Sequence, residues 1–364
     1  MNVCIIGEGL TALSLAKSLI NKKINVHYYY KSRNSNFSSN RTIGISKSNF
    51  EFFKEKIFQI SKNNYWKINR IEIYTDKIDT ENLLKFENDK NDLFYIIKND
   101  ELLKSLNSNL IKNKFFKKII LSKNINEEFL NKKEYDLIIN CDANNFLAKK
   151  YFTKKISKNY YNLAYTTILK HKKIENNTAT QIFTKQGPIA FLPISSTETS
   201  VVYSMDIKNK KFDNSDVIDL INKNNPKYLI NKIDKLNSFE LSSSNLRNYY
   251  HKNILAFGDM LHRVHPLAGQ GFNMTIRDLR ILTKIIEDKI ELGMQLDLQI
   301  FDEFEKKTKD KNFVFSKAID LIYESFNLDK KVQNKSFSKI LKSIGKNKNL
   351  NNYFIKLADA GINF

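Results

Sequence analysis

The sequence predicts an α/β protein with three parts: a unit built on a parallel sheet, a unit dominated by β-strands, and a helical C-terminal region. The first 30 residues have the order strand, glycine turn, helix, strand, which begins a parallel sheet. Runs of β-branched and aromatic residues fill much of 159–245, and apolar residues at helical spacing dominate after 275. With 364 residues, the chain is long enough for two domains.

The composition excludes several classes of protein. Hydrophobic residues make up 41% of the chain, which is enough to form a sizeable core and excludes wholesale disorder. Cys4 and Cys141 cannot form a disulfide framework, and His262 and His265 lack a clear third ligand. We therefore expect a reducing compartment and no metal, with His262 hydrogen-bonded inside a turn. No apolar run approaches the roughly 18 residues of a membrane span.

The chain is strongly basic, with 60 Lys and Arg residues against 39 Asp and Glu residues and a net charge of +21. Such an excess is typical of proteins that bind nucleic acid or an anionic membrane surface. Only seven of the basic residues are Arg, and the lysines form no basic block. Nucleic-acid-binding proteins more often cluster Arg and interleave it with aromatic residues. We therefore expect no nucleic-acid partner and keep an anionic membrane surface as a secondary hypothesis.

The first glycine-rich segment predicts a dinucleotide site. The apolar run 3–6 predicts a buried strand, and Gly7, Gly9 and Ala12 follow it at Gly-x-Gly-x-x-Ala spacing. Gly7 allows a tight turn, Gly9 lets the backbone approach a pyrophosphate, and Ala12 lets the helix pack closely on the strand. The helix N-terminus attracts phosphate charge. The second strand ends in Tyr30 rather than in the carboxylate that usually binds the ribose.

The second glycine-rich segment, 254–278, repeats the order strand, glycine turn, helix. Gly258 and Asp259 follow the strand, where a carboxylate can accept hydrogen bonds from ribose or ribitol hydroxyls. The run Pro266-Leu267-Ala268-Gly269-Gln270-Gly271 then puts bare backbone N–H groups at a helix start. Such groups suit a phosphate or a ring carbonyl. The two segments together predict a ligand longer than a mononucleotide.

Residues 258–278 resemble the Gly-Asp-Ala-Ala-His-x-x-x-Pro-x-x-Gly-Gln-Gly-x-Asn motif of flavin-dependent aromatic-ring monooxygenases. The resemblance is strongest to the ubiquinone-biosynthesis hydroxylases, which continue with an Arg-Asp pair matched by Arg277 and Asp278. Met260 and Leu261 stand where the family has small residues. Similar stretches run along nearly the whole chain, at 41–46, 95–99, 184–193 and 304–307.

The resemblance implies an FAD-dependent monooxygenase that hydroxylates a phenolic ring, a polyprenylated ubiquinone precursor, with O₂ and NAD(P)H. Because the chemistry belongs to the flavin, no catalytic acid, base or nucleophile is assigned. The residues that it implies for cofactor binding are Gly7, Gly9, Ala12, Arg41, Asp142, Gly258, Asp259, Pro266, Gly269, Gln270, Gly271 and Asn273. Of these, the first three would seat the pyrophosphate, Asp259 the ribitol, and the last four the flavin ring.

The family's Asp-Gly motif, associated with flavin and nicotinamide contacts, has an altered counterpart here. Asp142 is present, but Ala143, Phe146 and Lys149 replace Gly, Ser and Arg. With Tyr30, two cofactor motifs therefore depart from the family pattern. Drift in a chain of biased composition is the simplest explanation. Altered use of nicotinamide, or a different reductant, is the alternative.

The resemblance also implies domains that are interleaved along the chain. A Rossmann-like FAD-binding domain alternates with a substrate-binding β-sheet domain, and a helical region follows both. The predicted ranges are 1–69, 99–158 and 246–295 for the FAD-binding domain, 70–98 and 159–245 for the substrate domain, and 296–364 for the helical region.

Two amphipathic faces are predicted in the helical region. Ala318, Leu321, Ile322 and Phe326 share the first, and lysines surround the second, within 330–356. Packing on the core is the first expectation for both faces, and contact with an anionic membrane is the alternative. The expected location is cytoplasmic, with peripheral contact to the inner face of the membrane as the alternative.

Two other functions stay open. The first is a cofactor-poor relative that serves as an accessory or lipid-binding subunit of a ubiquinone-biosynthesis complex. Tyr30 and Ala143 favour it, and the intact run 258–273 opposes it. The second is another flavin-dependent oxidoreductase, such as an isoprenoid reductase or a halogenase. It shares the N-terminal glycine pattern, but the Gly-Gln-Gly-x-Asn run argues against it.

Overall fold

The computed structural model describes residues 1–31, 41–75, 82–87, 92–121, 134–208 and 212–332, together with 356, 359 and 361. The helices are α1 Leu10–Ile20, α2 Lys47–Phe52, α3 Asn99–Ile111, α4 Phe146–Tyr151, α5 Asn214–Lys223, α6 Gln270–Glu291 and α7 Gln299–Val332. The strands are β1 Asn2–Ile6, β2 Asn25–Tyr30, β3 Thr42–Ser46, β4 Trp66–Ile68, β5 Arg70–Thr75, β6 Leu84–Glu87, β7 Phe94–Lys98, β8 Phe116–Ile120, β9 Leu137–Asn140, β10 Lys155–His171, β11 Thr178–Phe183, β12 Pro188–Pro193, β13 Glu198–Asp206, β14 Ile230–Ile233, β15 Asn237–Leu246, β16 Tyr250–His251, β17 Ile254–Ala256 and β18 His262–Arg263.

A six-stranded sheet has the order β16-β17-β9-β1-β2-β8, and its five neighbouring strands from β17 to β8 pair in parallel. Its central strands are short apolar runs because both faces of the sheet are covered. Residues 3–6 of β1 and 137–140 of β9 are fully buried or nearly so. Helix α1 follows β1 and packs against α3 and α6. This is the predicted Rossmann-like unit.

A nine-stranded, mostly antiparallel sheet has the order β18-β15-β10-β13-β12-β11-β5-β6, and β14 pairs with β10 beside this path. The chain enters this sheet three times, at β5–β6, at β10–β15 and, after β16 and β17 of the other sheet, at β18. On one face α5 packs against Phe191 and Tyr203, and on the other α7 packs against Phe183 and Leu241. Strands β3, β7 and β4 form a separate three-stranded sheet. The fold class predicted from the sequence is thus confirmed, while the domain boundaries stay a prediction.

The helical C-terminal region is present, but one of its predicted faces is wrong. Leu321 and Ile322 are 64% and 41% exposed, whereas Phe326 is buried as predicted. The core-facing stripe is rotated around α7, because aromatic and aliphatic residues spaced by three or four pack on the sheet: Phe315, Ile319, Tyr323 and Phe326. The second predicted face, within 330–356, lies largely outside the described residues. None of the described helices combines the length and apolar character that crossing a bilayer requires.

The turn between β11 and β12 requires glycine. Gly187 has a φ of +147°, and a Cβ there would overlap the backbone oxygen of Ser204 in β13. We expect Gly187→Ala to lower the free energy of unfolding by about 2–4 kcal/mol, since positive φ and overpacking both add cost. Urea denaturation would measure the change.

Gly293 provides the matched control, because its φ is +68° and a Cβ there would meet no atom within 4 Å. We expect Gly293→Ala to cost only about 1 kcal/mol, from backbone strain alone. Equal losses in the two variants would contradict the steric account of Gly187.

Candidate functional site

Three turns meet at the carboxyl edge of the parallel sheet. Strands β1, β9 and β17 are neighbours and run in parallel, so the residues that follow them come together. A Cβ on Gly7 would lie 3.0 Å from the Cβ of Cys141. Burial raises the pKa of the Cys141 thiol, and the negative charges of Asp259 and Asp142 raise it further. The structure therefore brings together Gly7, Asp142 and Asp259, which are predicted from three distant parts of the chain.

The two glycine-rich segments are in direct contact. Gly258 has a φ of +69°, and a Cβ there would lie 2.5 Å from Cγ2 of Thr11 in the first turn of α1. Any larger residue at 258 would push α1 away from β17. Ala12 is fully buried, as close packing of the helix on the sheet requires. Asp259, by contrast, is exposed at the same edge.

The turn at Gly9 has room for a phosphate. Gly9 has a φ of +110°, a Cβ there would meet no atom within 4 Å, and no side chain caps α1. The first N–H groups of a helix have no partner within the helix, and they attract anions. The buried Tyr28 hydroxyl lies within reach of the Gly9 amide, and burial raises the Tyr28 pKa. This cradle fits the diphosphate of a dinucleotide.

The carboxyl end of β2 differs from the usual ribose site. Tyr30 is half-buried there, and the Nζ of Lys118 lies 4.4 Å from the centre of its ring. A carboxylate nevertheless lies near this strand end, because Glu8 is close enough to Tyr28 to help raise its pKa. The sequence analysis did not assign Glu8 a role. Its position inside the Gly-x-Gly turn was the available signal.

The N-terminus of α6 faces β3. Gly269 caps α6 with a φ of +62°, and a Cβ there would lie 3.7 Å from the backbone N and O of Gly44. A Cβ on Gly271 would meet no atom within 4 Å. The open backbone at Gly271, beside the close approach of Gly269 to Gly44, is called the ring slot below. The first N–H groups of α6 have no partner within the helix, and a ring carbonyl can accept hydrogen bonds from them.

Asn273 ties the ring slot together. Its side chain is fully buried, and its Nδ2 donates to the carbonyls of Gly44 at 2.9 Å and Gly269 at 3.1 Å. Its Oδ1 accepts from the Ser46 amide at 2.9 Å and from Asn49 at 3.1 Å. These four bonds use the whole hydrogen-bonding capacity of an amide. The geometry thus favours a positioning role for Asn273, and its contact with a flavin stays a prediction.

The other predicted residues flank the slot. Pro266 is half-buried and precedes the turn that leads to α6, and Gln270 is the buried first residue of that helix. Arg41 is exposed just before β3, three residues from Gly44, which is about 10 Å along an extended chain. Their contacts with a cofactor stay predictions.

His262 begins β18 rather than lying inside a turn, and only one of its two ring nitrogens is hydrogen-bonded. Its Nε2 lies 2.6 Å from Oδ2 of Asp278, and both side chains are buried. Asn312 in α7 donates to the other oxygen of Asp278 at 2.9 Å, so this network joins α6 to α7. Within the described ranges, no group of three or more His, Cys, Asp or Glu residues is arranged to hold a metal ion.

A buried group that the sequence analysis gave no function adjoins the ring slot. The His265 ring stacks on Tyr323 at 4.2 Å and meets Tyr160 edge-on at 5.0 Å. The Tyr160 hydroxyl donates to Asp320, and Asn162 donates to the Tyr323 hydroxyl at 2.6 Å. These five residues are called the polar-aromatic cluster below. Burial lowers the pKa of His265 to about 3, with a further effect of a nearby lysine.

Comparison with known proteins relates the chain to flavoproteins. A family model described as "FAD binding domain" matches residues 160–291. The chain is 25% identical over 197 residues to ubiquinone biosynthesis monooxygenase COQ6, mitochondrial, of Caenorhabditis elegans, covering 43% of this chain and 44% of that protein. It is 27% identical over 154 residues to 3-demethoxyubiquinol 3-hydroxylase of Escherichia coli (strain K12), covering 40% and 39%. The chain thus spans less than half the length of these relatives.

Solved structures share the fold over almost the whole chain. The p-nitrophenol 4-monooxygenase PnpA from Pseudomonas putida DLL-E4 has a TM-score of 0.77 at 11% identity, covering 100% of this chain and 98% of that one. Klebsiella pneumoniae HpxO complexed with FAD and uric acid has a TM-score of 0.75 at 12% identity, covering 99% and 97%. The resemblance to FAD-dependent aromatic-ring monooxygenases of the ubiquinone-biosynthesis branch is confirmed.

The buried His265 makes stability depend on pH. Because its folded-state pKa is about 3 against 6.5 for a free imidazole, the unfolded chain takes up this proton first as pH falls. The contribution of neutral His265 to the free energy of unfolding is fully present above pH 6.5 and is lost as the pH falls towards 3. Between about pH 7.5 and pH 5, we expect the wild type to lose roughly 2 kcal/mol more than His265→Leu. Urea denaturation would measure the free energy of unfolding of both proteins at several pH values. An equal loss in the two proteins between pH 7.5 and pH 5 would contradict the low pKa of His265.

Proposed function

We propose that this chain is an FAD-dependent monooxygenase that hydroxylates a phenolic ring, with O₂ and NAD(P)H as co-substrates. The observation that carries the proposal is the meeting of three turns, after β1, β9 and β17, at one edge of a parallel sheet beside an uncapped helix N-terminus. The names of the sequence relatives suggest a substrate from ubiquinone biosynthesis, and the family resemblance adds that this precursor is polyprenylated.

The residues present fit an extended dinucleotide. The Gly9 turn and the first N–H groups of α1 would bind the diphosphate, because the open space at Gly9 adjoins N–H groups that have no partner within the helix. The exposed carboxylate of Asp259 would accept hydrogen bonds from the ribitol hydroxyls. Asp142 lies on the adjacent turn and would contribute to the same region. The ring slot would receive the flavin ring.

When bound, FAD supplies the redox chemistry with O₂, and the protein supplies orientation and exclusion of water. Asn273 would hold β3 at a fixed distance from α6, so that the ring slot keeps its width. Pro266 and Leu267 would shape the slot, since they lead directly into α6. No side chain of this chain is assigned as a catalytic acid or base.

A cofactor-poor accessory subunit is the second candidate. The packing of Lys118 on Tyr30 favours it, because it fills the usual place of the ribose carboxylate. The open cradle at Gly9 opposes it. Direct measurement of flavin binding separates the two functions.

We expect Asp259→Ala to weaken FAD binding about tenfold or more, since hydrogen bonds to a charged carboxylate contribute about 1.5–3 kcal/mol. Flavin absorbance after equilibrium dialysis would measure occupancy, and circular dichroism would verify folding. Asp219→Ala, at an exposed aspartate of α5, is the matched control and should keep wild-type affinity. Equal flavin occupancy in both variants would show that the ribitol assignment is wrong.

We also propose that the enzyme reaches its lipid-like substrate by peripheral contact with an anionic membrane, from the cytoplasmic side. Exposed apolar residues lie along the outer face of α7: Val314 is 42%, Leu321 64% and Ile322 41% exposed. Lys317 is exposed between them, and the whole chain carries a net charge of +21. Apolar and basic residues on one helix face suit the interface of an anionic bilayer.

The membrane proposal predicts that wild-type protein sediments with phosphatidylserine-containing vesicles. The double variant Leu321→Asp/Ile322→Asp should bind at least about 100-fold more weakly, because each buried aliphatic side chain contributes roughly 1.5–3 kcal/mol. Leu292→Asp is the control, since Leu292 is exposed after α6 rather than on α7. Wild-type protein that stays in the supernatant, or equal losses in both variants, would contradict docking through α7.

A further inference from the structure

The polar-aromatic cluster contains buried atoms without hydrogen-bond partners. Within the part of the chain that the structure describes, these atoms are both ring nitrogens of His265, Oδ1 of Asn162 and Oδ2 of Asp320. All three side chains are more than nine-tenths buried. Buried polar groups in native proteins almost always have a partner. Oδ2 of Asp320 has an ion-pair partner, Lys317, at 3.6 Å, but no hydrogen bond. The other three atoms have neither, so they indicate a place where a ligand or ordered water completes the bonding.

The unsatisfied atoms belong to one continuous set of contacts. The rings of Tyr160 and Tyr323 lie 5.2 Å apart, and His265 contacts both of them. The hydroxyl groups of the same two tyrosines bond to Asp320 and Asn162. Apolar side chains, with Val264, Leu267, Met274 and Phe315 among them, surround the set. A small group bound here would meet several of these polar atoms inside an apolar shell.

The unsatisfied atoms mostly accept hydrogen bonds. The oxygens of Asp320 and Asn162 only accept, and a neutral imidazole at His265 has one donor and one acceptor. Because burial lowers the pKa of His265 to about 3, the ring is neutral at ordinary pH. A ring hydroxyl can donate to an acceptor and accept from the single donor. A carboxylate only accepts, so it would find one donor and two competing oxygens.

Two lysines near the cluster already have ion-pair partners. Lys158 forms an ion pair with Glu324, and Lys317 lies 3.6 Å from Oδ2 of Asp320. Burial lowers the pKa of the Arg277 guanidinium in α6 to about 10, and the charges of Asp278 and Asp359 partly offset this effect. These pairs leave little positive charge to offset a second carboxylate brought in by a ligand.

The cluster is linked to the ring slot along the chain and to the end of β11 through Phe326. His265 directly precedes Pro266, which leads to the ring slot through Gly269. On the other side, Phe183 stacks on Phe326 at 3.5 Å and ends β11. The stretch 184–193, one of the stretches that resemble the family, follows directly.

We propose that the polar-aromatic cluster binds the hydroxyl group of an aromatic substrate, and that His265 and Asp320 select a ring hydroxyl over a ring carboxylate. His265 donates to the hydroxyl oxygen or accepts its proton in a hydrogen bond, and Asp320 offers a competing acceptor that repels carboxylates. The proposal rests on the proposed function for the position of the flavin, but its selectivity is a property of these side chains alone.

The test uses two probes that share a propyl-substituted ring and differ only in the group at position 1, 4-propylphenol and 4-propylbenzoate, titrated into wild-type protein by calorimetry with and without FAD. We expect the phenol to bind at least about tenfold more tightly than the benzoate. The benzoate leaves at least one buried acceptor of the cluster without a hydrogen bond, and one such group changes the affinity by about that factor. Equal affinities, or tighter binding of the benzoate, would overturn the proposal without any variant having to fold.

Variants then assign the selectivity to residues. His265→Leu should weaken phenol binding about tenfold while circular dichroism stays native, because the leucine fills the space but offers no hydrogen bond. Asp320→Asn should bring the two affinities closer, since the amide lacks a negative charge. His251→Leu is the control: His251 also has a buried nitrogen without a partner, but it lies in β16 of the other sheet. It should leave both affinities unchanged.

The outcomes separate this proposal from the proposed function. Unchanged phenol binding in folded His265→Leu would mean that the unsatisfied atoms bond only to water, and it would overturn the assignment. A wild-type protein that prefers the phenol but never binds FAD would contradict the proposed function and leave the hydroxyl site in place. A protein that binds FAD without preferring the phenol would overturn the hydroxyl site and leave the proposed function in place.

Discussion

The parallel pairing of β1 with β9, and of β9 with β17, is the constraint on which the site depends. Parallel neighbours end at the same edge of a sheet, so turns separated by more than 100 residues in the chain become adjacent. Close packing then removes the remaining freedom. Gly7 approaches Cys141, and Gly258 approaches Thr11, at distances that leave no room for a side chain. The cradle for a dinucleotide is therefore a consequence of backbone packing rather than of flexible side chains.

Buried polar networks fix the second half of the site. The Asn273 amide joins β3 to α6, and the His262–Asp278 pair with Asn312 joins α6 to α7. A buried hydrogen-bonding group left without a partner costs about 1–3 kcal/mol. A shift of the elements that a network joins would break such bonds and lower the free energy of unfolding. The ring slot and the polar-aromatic cluster lie at the two ends of the turn that these networks hold. This turn would therefore fix the distance between a cofactor ring in the slot and a substrate ring at the cluster.

The sequence predicted the cofactor side of the site better than the substrate side. Glycine turns between a strand and a helix are local patterns, so Gly7, Gly9, Gly258 and Asp259 could be found without a structure. The polar-aromatic cluster could not, because it brings Tyr160, His265 and Asp320 together from three distant segments. Spacing on α7 was also insufficient, since several rotations of that helix bury apolar residues. The buried hydrogen bond between Tyr160 and Asp320 favours the rotation of α7 that exposes Leu321.

The central claim is that this chain holds FAD across the edge of its parallel sheet. Its most direct test is the absorption spectrum of the purified full chain after incubation with FAD and removal of the unbound flavin. The account predicts flavin bands at a stoichiometry near one per chain, released when the protein is denatured. A protein that is natively folded by circular dichroism but shows no flavin absorbance, with or without added FAD, would contradict it.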